Sequence, residues 1–310
     1  MSIVPLSCVP ILTRSLLCIA LLLSIGLLME SEDLYILHQI ADFQEQAGFQ
    51  KKAKEIYSKI IARDKLNHYA YLRRGVIYHI EGNLEAALKD YNSAISICPI
   101  QPVYRGNRGL ILCSMKEYEL AISDLNFAIE GLPEISSFYV SRSEAYERLG
   151  DKANAALDCT RLIVMNQNDY LAYERRSWLN TKLGFPNRAW DDIDRAIEIN
   201  PNYHSSYATR AWLFSDKEDY LNAINDFSKA IELNPDNHLL YLARGHMFAK
   251  IKNRKEAIAD YQQVLKINPK CSMAYESIGT SLYFMNDLDG AFANLNKALE
   301  LSPASDTAFE

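Results

Sequence analysis

Residues 68–101 read HYAYLRRGVIYHIEGNLEAALKDYNSAISICPIQ, and residues 238–271 read HLLYLARGHMFAKIKNRKEAIADYQQVLKINPKC. The two stretches align without a gap. Tyr71, Arg74, Gly75, Tyr78, Ala87, Tyr91 and Pro99 of the first return as Tyr241, Arg244, Gly245, Phe248, Ala257, Tyr261 and Pro269 of the second. Outward from these, one 34-residue grid runs through the chain and holds Ala53, Ala87, Ala121, Ala155, Ala189, Ala223, Ala257 and Ala291. Pro99, Pro133, Pro201, Pro235, Pro269 and Pro303 occupy a second grid position, which only Lys65 and Gln167 interrupt. The windows are 34–67, 68–101, 102–135, 136–169, 170–203, 204–237, 238–271 and 272–305. A period of this length marks a solenoid, whose stacked units build an extended surface for binding.

Within a window the spacing predicts two helices. Tyr71, Arg74, Gly75 and Tyr78 fall on one face of a first helix; Leu84, Ala87, Leu88, Tyr91, Ala94 and Ile95 make the stripe of a second. Gly48, Gly82, Gly150 and Gly184 share the grid position between them, where a first helix should end. Pro186 falls where it can open a second helix, and the grid proline should close one.

This pattern resembles the tetratricopeptide repeat, whose W-x2-L-G-x2-Y…A-x3-F…P spacing it reproduces over residues 34–305. The resemblance implies two antiparallel helices per repeat, wound into a right-handed superhelix with a concave groove. The expected fold is therefore all-α: a right-handed α-solenoid of about eight 34-residue helix-turn-helix repeats, preceded by an N-terminal hydrophobic helix. A short tail, 306–310, follows.

One departure from the family is systematic. Where the family commonly has leucine, six windows carry Arg74, Arg108, Arg142, Arg176, Arg210 and Arg244. Sixteen residues after each stands Asp90, Asp124, Asp158, Asp192, Asp226 or Asp260. The first window has Ile40 and Ile56 in the two slots, and the last has Ile278 and Asn294. The charges come and go together, so each arginine and its aspartate are read as a structural ion pair.

The second, fifth, ninth and twelfth residues of each window form a further stripe, which in this family lines the groove. It holds Leu72, Val76, Leu110, Glu174, Trp178, Trp212, Leu239, Leu242, His246, Met273, Glu276 and Tyr283, the expected partner-binding residues. Trp178, Trp212 and His246 take the same slot in consecutive windows. Aromatic side chains there suit a peptide anchor, but helical spacing equally allows them to pack between repeats. The family's clamp for chaperone C-terminal carboxylates needs lysine and asparagine in the fifth and ninth slots, and this stripe lacks that pair.

Composition narrows the classes further. The chain has 310 residues, 49% of them hydrophobic, and a net charge of −6 without a long basic run, which argues against a nucleic-acid partner. There is no CxxC, no HExxH and no glycine-rich phosphate loop, so neither enzyme chemistry, nor a metal, nor a cofactor is expected. Leu16–Met29 is uncharged, with Arg14 before it and Glu30, Glu32 and Asp33 after it. That run fits a signal peptide or membrane anchor within residues 1–29, with the repeats outside the cytoplasm. The alternative is translation from Met29 and a soluble cytoplasmic protein. The expected function is a non-catalytic scaffold or adaptor that holds a protein or peptide partner in the groove. Self-association through the last window, which carries Phe292, Leu299 and Leu301, is the competing reading.

Overall fold

The computed structural model describes residues 34–302, and these are helical throughout apart from short turns. Its sixteen described helices fall into two compact units that divide between Leu149 and Gly150. The division runs through the 136–169 window, between its two helices. The expected leader, residues 1–29, and the tail, 306–310, lie outside the described residues. No helix among the described residues is long and apolar enough to cross a membrane.

The first unit comprises α1 (Leu34–Gln46), α2 (Gln50–Arg63), α3 (His68–Ile80), α4 (Leu84–Ile97), α5 (Pro102–Ser114), α6 (Tyr118–Gly131) and α7 (Ser136–Arg148). The second comprises α8 (Lys152–Met165), α9 (Tyr170–Lys182), α10 (Pro186–Ile199), α11 (His204–Asp216), α12 (Tyr220–Leu233), α13 (His238–Lys250), α14 (Arg254–Ile267), α15 (Ser272–Phe284) and α16 (Leu288–Leu301). Within each unit every helix packs on the next in sequence. Some first helices also touch the first helix of the following repeat: α3 on α5, α5 on α7, α9 on α11 and α13 on α15.

The turn inside each repeat explains the glycine column. Gly48, Gly82, Gly150 and Gly184 all have φ between 76° and 84°, the left-handed conformation that ends a helix. The same column continues as Lys116, Glu218, Lys252 and Asn286, with φ between 60° and 67°. The grid proline acts one step earlier than its own position. The residue before it leaves the helical region at Cys98, Leu132, Asn200, Asn234 and Asn268, but Asp64 and Asn166, followed by Lys65 and Gln167, do the same, so the proline reinforces a stop that does not depend on it.

The alanine column lies on the buried face of the second helices. All eight alanines are at most 3% exposed. A second column of small residues lets the first helix settle on a large side chain of the second. A Cβ added at Gly75 would lie 2.7 Å from the Tyr91 ring, and one at Gly245 would lie 2.6 Å from that of Tyr261. Glycine stands there because the tyrosine needs the volume.

The arginine column forms a ladder. Arg74, Arg108, Arg176, Arg210 and Arg244 each grip their aspartate with both Nε and Nη2, at 2.6–2.9 Å. The five carboxylates are almost buried, while the guanidinium groups keep a solvent-facing edge. Each Nη1 then reaches back into the preceding repeat. It donates to Ser58 from Arg74, to Asn92 from Arg108, to Thr160 from Arg176, to Asp194 from Arg210 and to Ser228 from Arg244. Arg142, which lies in the first unit while Asp158 lies in the second, makes the same reach to Asn126. Pairing with aspartate raises the guanidinium pKa in all five pairs, so these arginines stay charged. One side chain therefore joins two helices of its own repeat to the repeat before.

Candidate functional site

In the second unit the expected partner-binding residues stand on the first helices α9, α11, α13 and α15. Trp212 is 47% exposed; its ring meets Phe227 edge-on at 5.3 Å, which fixes its orientation and leaves the rest of the indole open. Leu239, Met273 and Tyr283 are exposed. Trp178 is half-buried, with the Lys182 ammonium 6.0 Å from its ring centre.

His246 is half-buried beside them and lines a cavity of about 350 Å³ together with Arg254, Tyr261, Met273, Glu276 and Ser277. Its Nε2 lies 3.3 Å from Ser277 Oγ, and its ring lies 5.6 Å from that of Tyr261. Burial, helped by the nearby Lys250 charge, lowers the His246 pKa, so the ring is neutral at pH 7 and one nitrogen can accept a hydrogen bond. Arg254 stacks on Phe284 at 4.8 Å. The cavity thus combines a neutral imidazole, several hydroxyl side chains, one cation and one carboxylate beside an apolar rim. That mixture matches the polar backbone and occasional side chain of a polypeptide.

Several expected site residues belong elsewhere. Leu242 is buried with Tyr261, Val264 and Ile278, and Leu72 with Tyr91, Tyr104 and Ile111. Val76 packs on the Leu72 cluster, and Leu110 on Leu125 and Phe138. Neighbouring first helices approach closely enough to bury Leu72 and Leu242 of the fifth slot, while Val76 and Leu110 of the ninth slot are half-buried. Glu174 is also engaged, accepting hydrogen bonds from Ser205 at 2.9 Å and Thr209 at 2.8 Å on α11. It ties two first helices together. Arg254, Tyr261 and Ser277 lie outside the four slots read from the first helix, so the stripe alone could not include them.

No group of three or more histidine, cysteine, aspartate or glutamate side chains among the described residues could hold a metal ion. Among the described residues Cys98, Cys113, Cys159 and Cys271 form no disulfide. Burial raises the Cys113 pKa to about 11, which keeps that group protonated.

Comparison with known proteins agrees with this architecture. Models described as tetratricopeptide repeat match residues 68–100, 204–237, 239–271 and 274–305. A FAM10-family protein of Arabidopsis thaliana is 36% identical over 78 residues, which cover 25% of this chain and 18% of that protein. A tetratricopeptide-repeat-containing thioredoxin of the same organism is 31% identical over 83 residues, covering 27% of this chain and 12% of the relative. The chain thus spans under a fifth of either curated relative. Among solved structures, a tetratricopeptide repeat protein from Parabacteroides merdae superposes with a TM-score of 0.63 at 19% identity, covering 77% of this chain and 94% of its own. The Cut9–Hcn1 hetero-tetramer of the APC/C gives 0.59 at 18% identity, covering 90% of this chain and 54% of its own. With the gapless period, the matched repeats and the shared fold together, the chain belongs to the tetratricopeptide-repeat family.

Proposed function

We propose that this protein is a non-catalytic scaffold whose second unit holds a segment of a protein partner against α11, α13 and α15. The observation that carries the reading is the exposure of Trp212, Leu239 and Met273 on three successive first helices, with Met273 in the wall of the His246 cavity. Large apolar side chains that stay open beside convergent polar groups are what a peptide-recognition surface needs. The test is partner capture by the full chain and by its Trp212→Ala and Leu239→Ala variants. Each substitution should weaken capture by more than about 1 kcal/mol while leaving the thermal unfolding midpoint in place. A lowered midpoint with unchanged affinity would make Trp212 a packing residue and remove the proposal.

The setting of that activity is a separate proposal. The charge pattern around Leu16–Met29 favours membrane tethering or export over a soluble adaptor that starts at Met29. N-terminal sequencing of the native protein decides between them, since a chain beginning at Met29 carries no leader.

A further inference from the structure

A second cavity, of about 420 Å³, opens in the first unit where α1, the turn after α2 and the start of α3 meet. Its walls are rings and one carboxylate: Tyr35, His38, His68 and Tyr69 with Asp64, beside Asn67. The rings are held in place. Tyr69 stacks tilted against His38 at 5.6 Å, and its hydroxyl donates to Asp42 at 3.1 Å. Asn67 lies 3.1 Å from His38 Nε2, and His68 Nδ1 is hydrogen-bonded to the Tyr104 hydroxyl.

Among the described residues the two carboxylates here accept from neutral donors. Asp64 accepts from the Leu66 backbone N–H at 3.0 Å and from Asn67 Nδ2 at 3.3 Å. Asp42 accepts from Tyr57 at 2.6 Å and from Tyr69. Among the described residues neither touches a cation. Glu45 nearby is already paired with Arg73 at 2.6 Å, and Lys65 does not line the cavity.

The fold does not need the Asp64 charge. Along the 34-residue grid the same position is Cys98, Leu132, Asn166, Asn200, Asn234, Asn268 and Ser302. Asn166, Asn200 and Asn268 close the same turn with a neutral amide oxygen that accepts from the backbone two residues on, as Asp64 does. The tyrosines are equally local. The second slot is tyrosine at Tyr35 and Tyr69, then Val103, Ser137, Leu171, Ser205, Leu239 and Met273. Aromatic walls and a carboxylate that the turn itself does not require therefore coincide at one place in the chain.

We propose that this pocket binds an organic cation, the ammonium or guanidinium of a lysine or arginine side chain, with its charge held between Asp64 and the Tyr69 ring. A cation over tyrosine rings with an unneutralised carboxylate behind them gains both ring-quadrupole and charge attraction. His38 does not compete as a cation, because burial lowers its pKa despite the opposing pull of Asp42 and Asp64. The site is separate from the α11–α15 surface, so either proposal can fail alone.

The test is binding of a fluorescent tetra-lysine peptide to the full-length chain at low ionic strength, with the Nε-acetylated peptide as control. The free-amine peptide should bind and the acetylated one should not. Asp64→Asn installs the residue that four other repeats already use, so the unfolding midpoint should hold while affinity falls about tenfold. Tyr69→Leu, the residue at the same slot in α9 and α13, should weaken binding similarly. Displacement by millimolar n-butylammonium would assign the site to any alkylammonium; failure of displacement would assign it to a polypeptide side chain. No binding by the wild-type chain, equal binding of the acetylated peptide, or undiminished affinity in Asp64→Asn would each overturn the proposal.

Discussion

At the residue scale, the arginines of the arginine–aspartate ladder stand in a slot where the family commonly has leucine. A buried ion pair is not a gain in stability by itself, because desolvation offsets much of the attraction. Its value lies in geometry: the planar guanidinium grips a carboxylate with two donors and keeps a third for the preceding repeat. The first repeat shows the apolar alternative, Ile40 and Ile56, both buried. Removing only the cation should therefore be far worse than removing both charges. Arg244→Ala strands Asp260, which is 6% exposed and among the described residues is paired with Arg244 alone, and should cost on the order of 3 kcal/mol in urea unfolding. The Arg244→Ile/Asp260→Ile pair should fall within about 1 kcal/mol of the wild type. Equal losses in the two variants would show that the pair does not act as a unit.

At the element scale, the turn between the two helices of a repeat carries a mismatch that the sequence displays openly. Lys116, Glu218, Lys252 and Asn286 adopt the left-handed conformation that glycine supplies in the other four repeats. Such a conformation strains a side chain with a Cβ, by roughly 1–2 kcal/mol for most residues. Lys252→Gly should then raise stability by about 0.5–1 kcal/mol, after the greater chain freedom of glycine when unfolded is subtracted. Gly82→Ala should lower it by about 1 kcal/mol, and the loss would be purely conformational, since nothing lies within 4 Å of the added Cβ. Melting curves of the two variants check both signs. Helix positions, turn glycines and the arginine–aspartate register were legible because each depends on spacing along one chain. The reach of Arg74 to Ser58 was hidden, although positions 58, 92, 126, 160, 194 and 228 are all hydrogen-bond acceptors, because it links different repeats. The burial of Leu72 and Leu242 was hidden for a related reason: how closely first helices approach decides which slots stay open.

At the scale of the whole molecule, a repeat array leaves its end faces to be covered by something. Residues 303–310 lie outside the described part, and on α16 Leu288, Phe292 and Leu299 are 58–70% exposed, with Tyr283 and Phe284 of α15 exposed as well. Contiguous exposed apolar surface of this kind favours association, and a second copy of the chain can supply a matching face by symmetry. Sedimentation of the full chain over a hundredfold concentration range should show reversible self-association. Phe292→Lys with Leu299→Glu should shift the chain to monomer, because both side chains point to solvent and their replacement leaves Ala291 and Ala298, the buried face of α16, untouched. If the wild type sediments as a monomer throughout, the face is covered within the chain or by another protein. If both proteins associate equally, the contact lies elsewhere on the array. In either case the α11–α15 surface would remain to be judged by its own substitutions, since Trp212 and Leu239 stand on earlier repeats than α16.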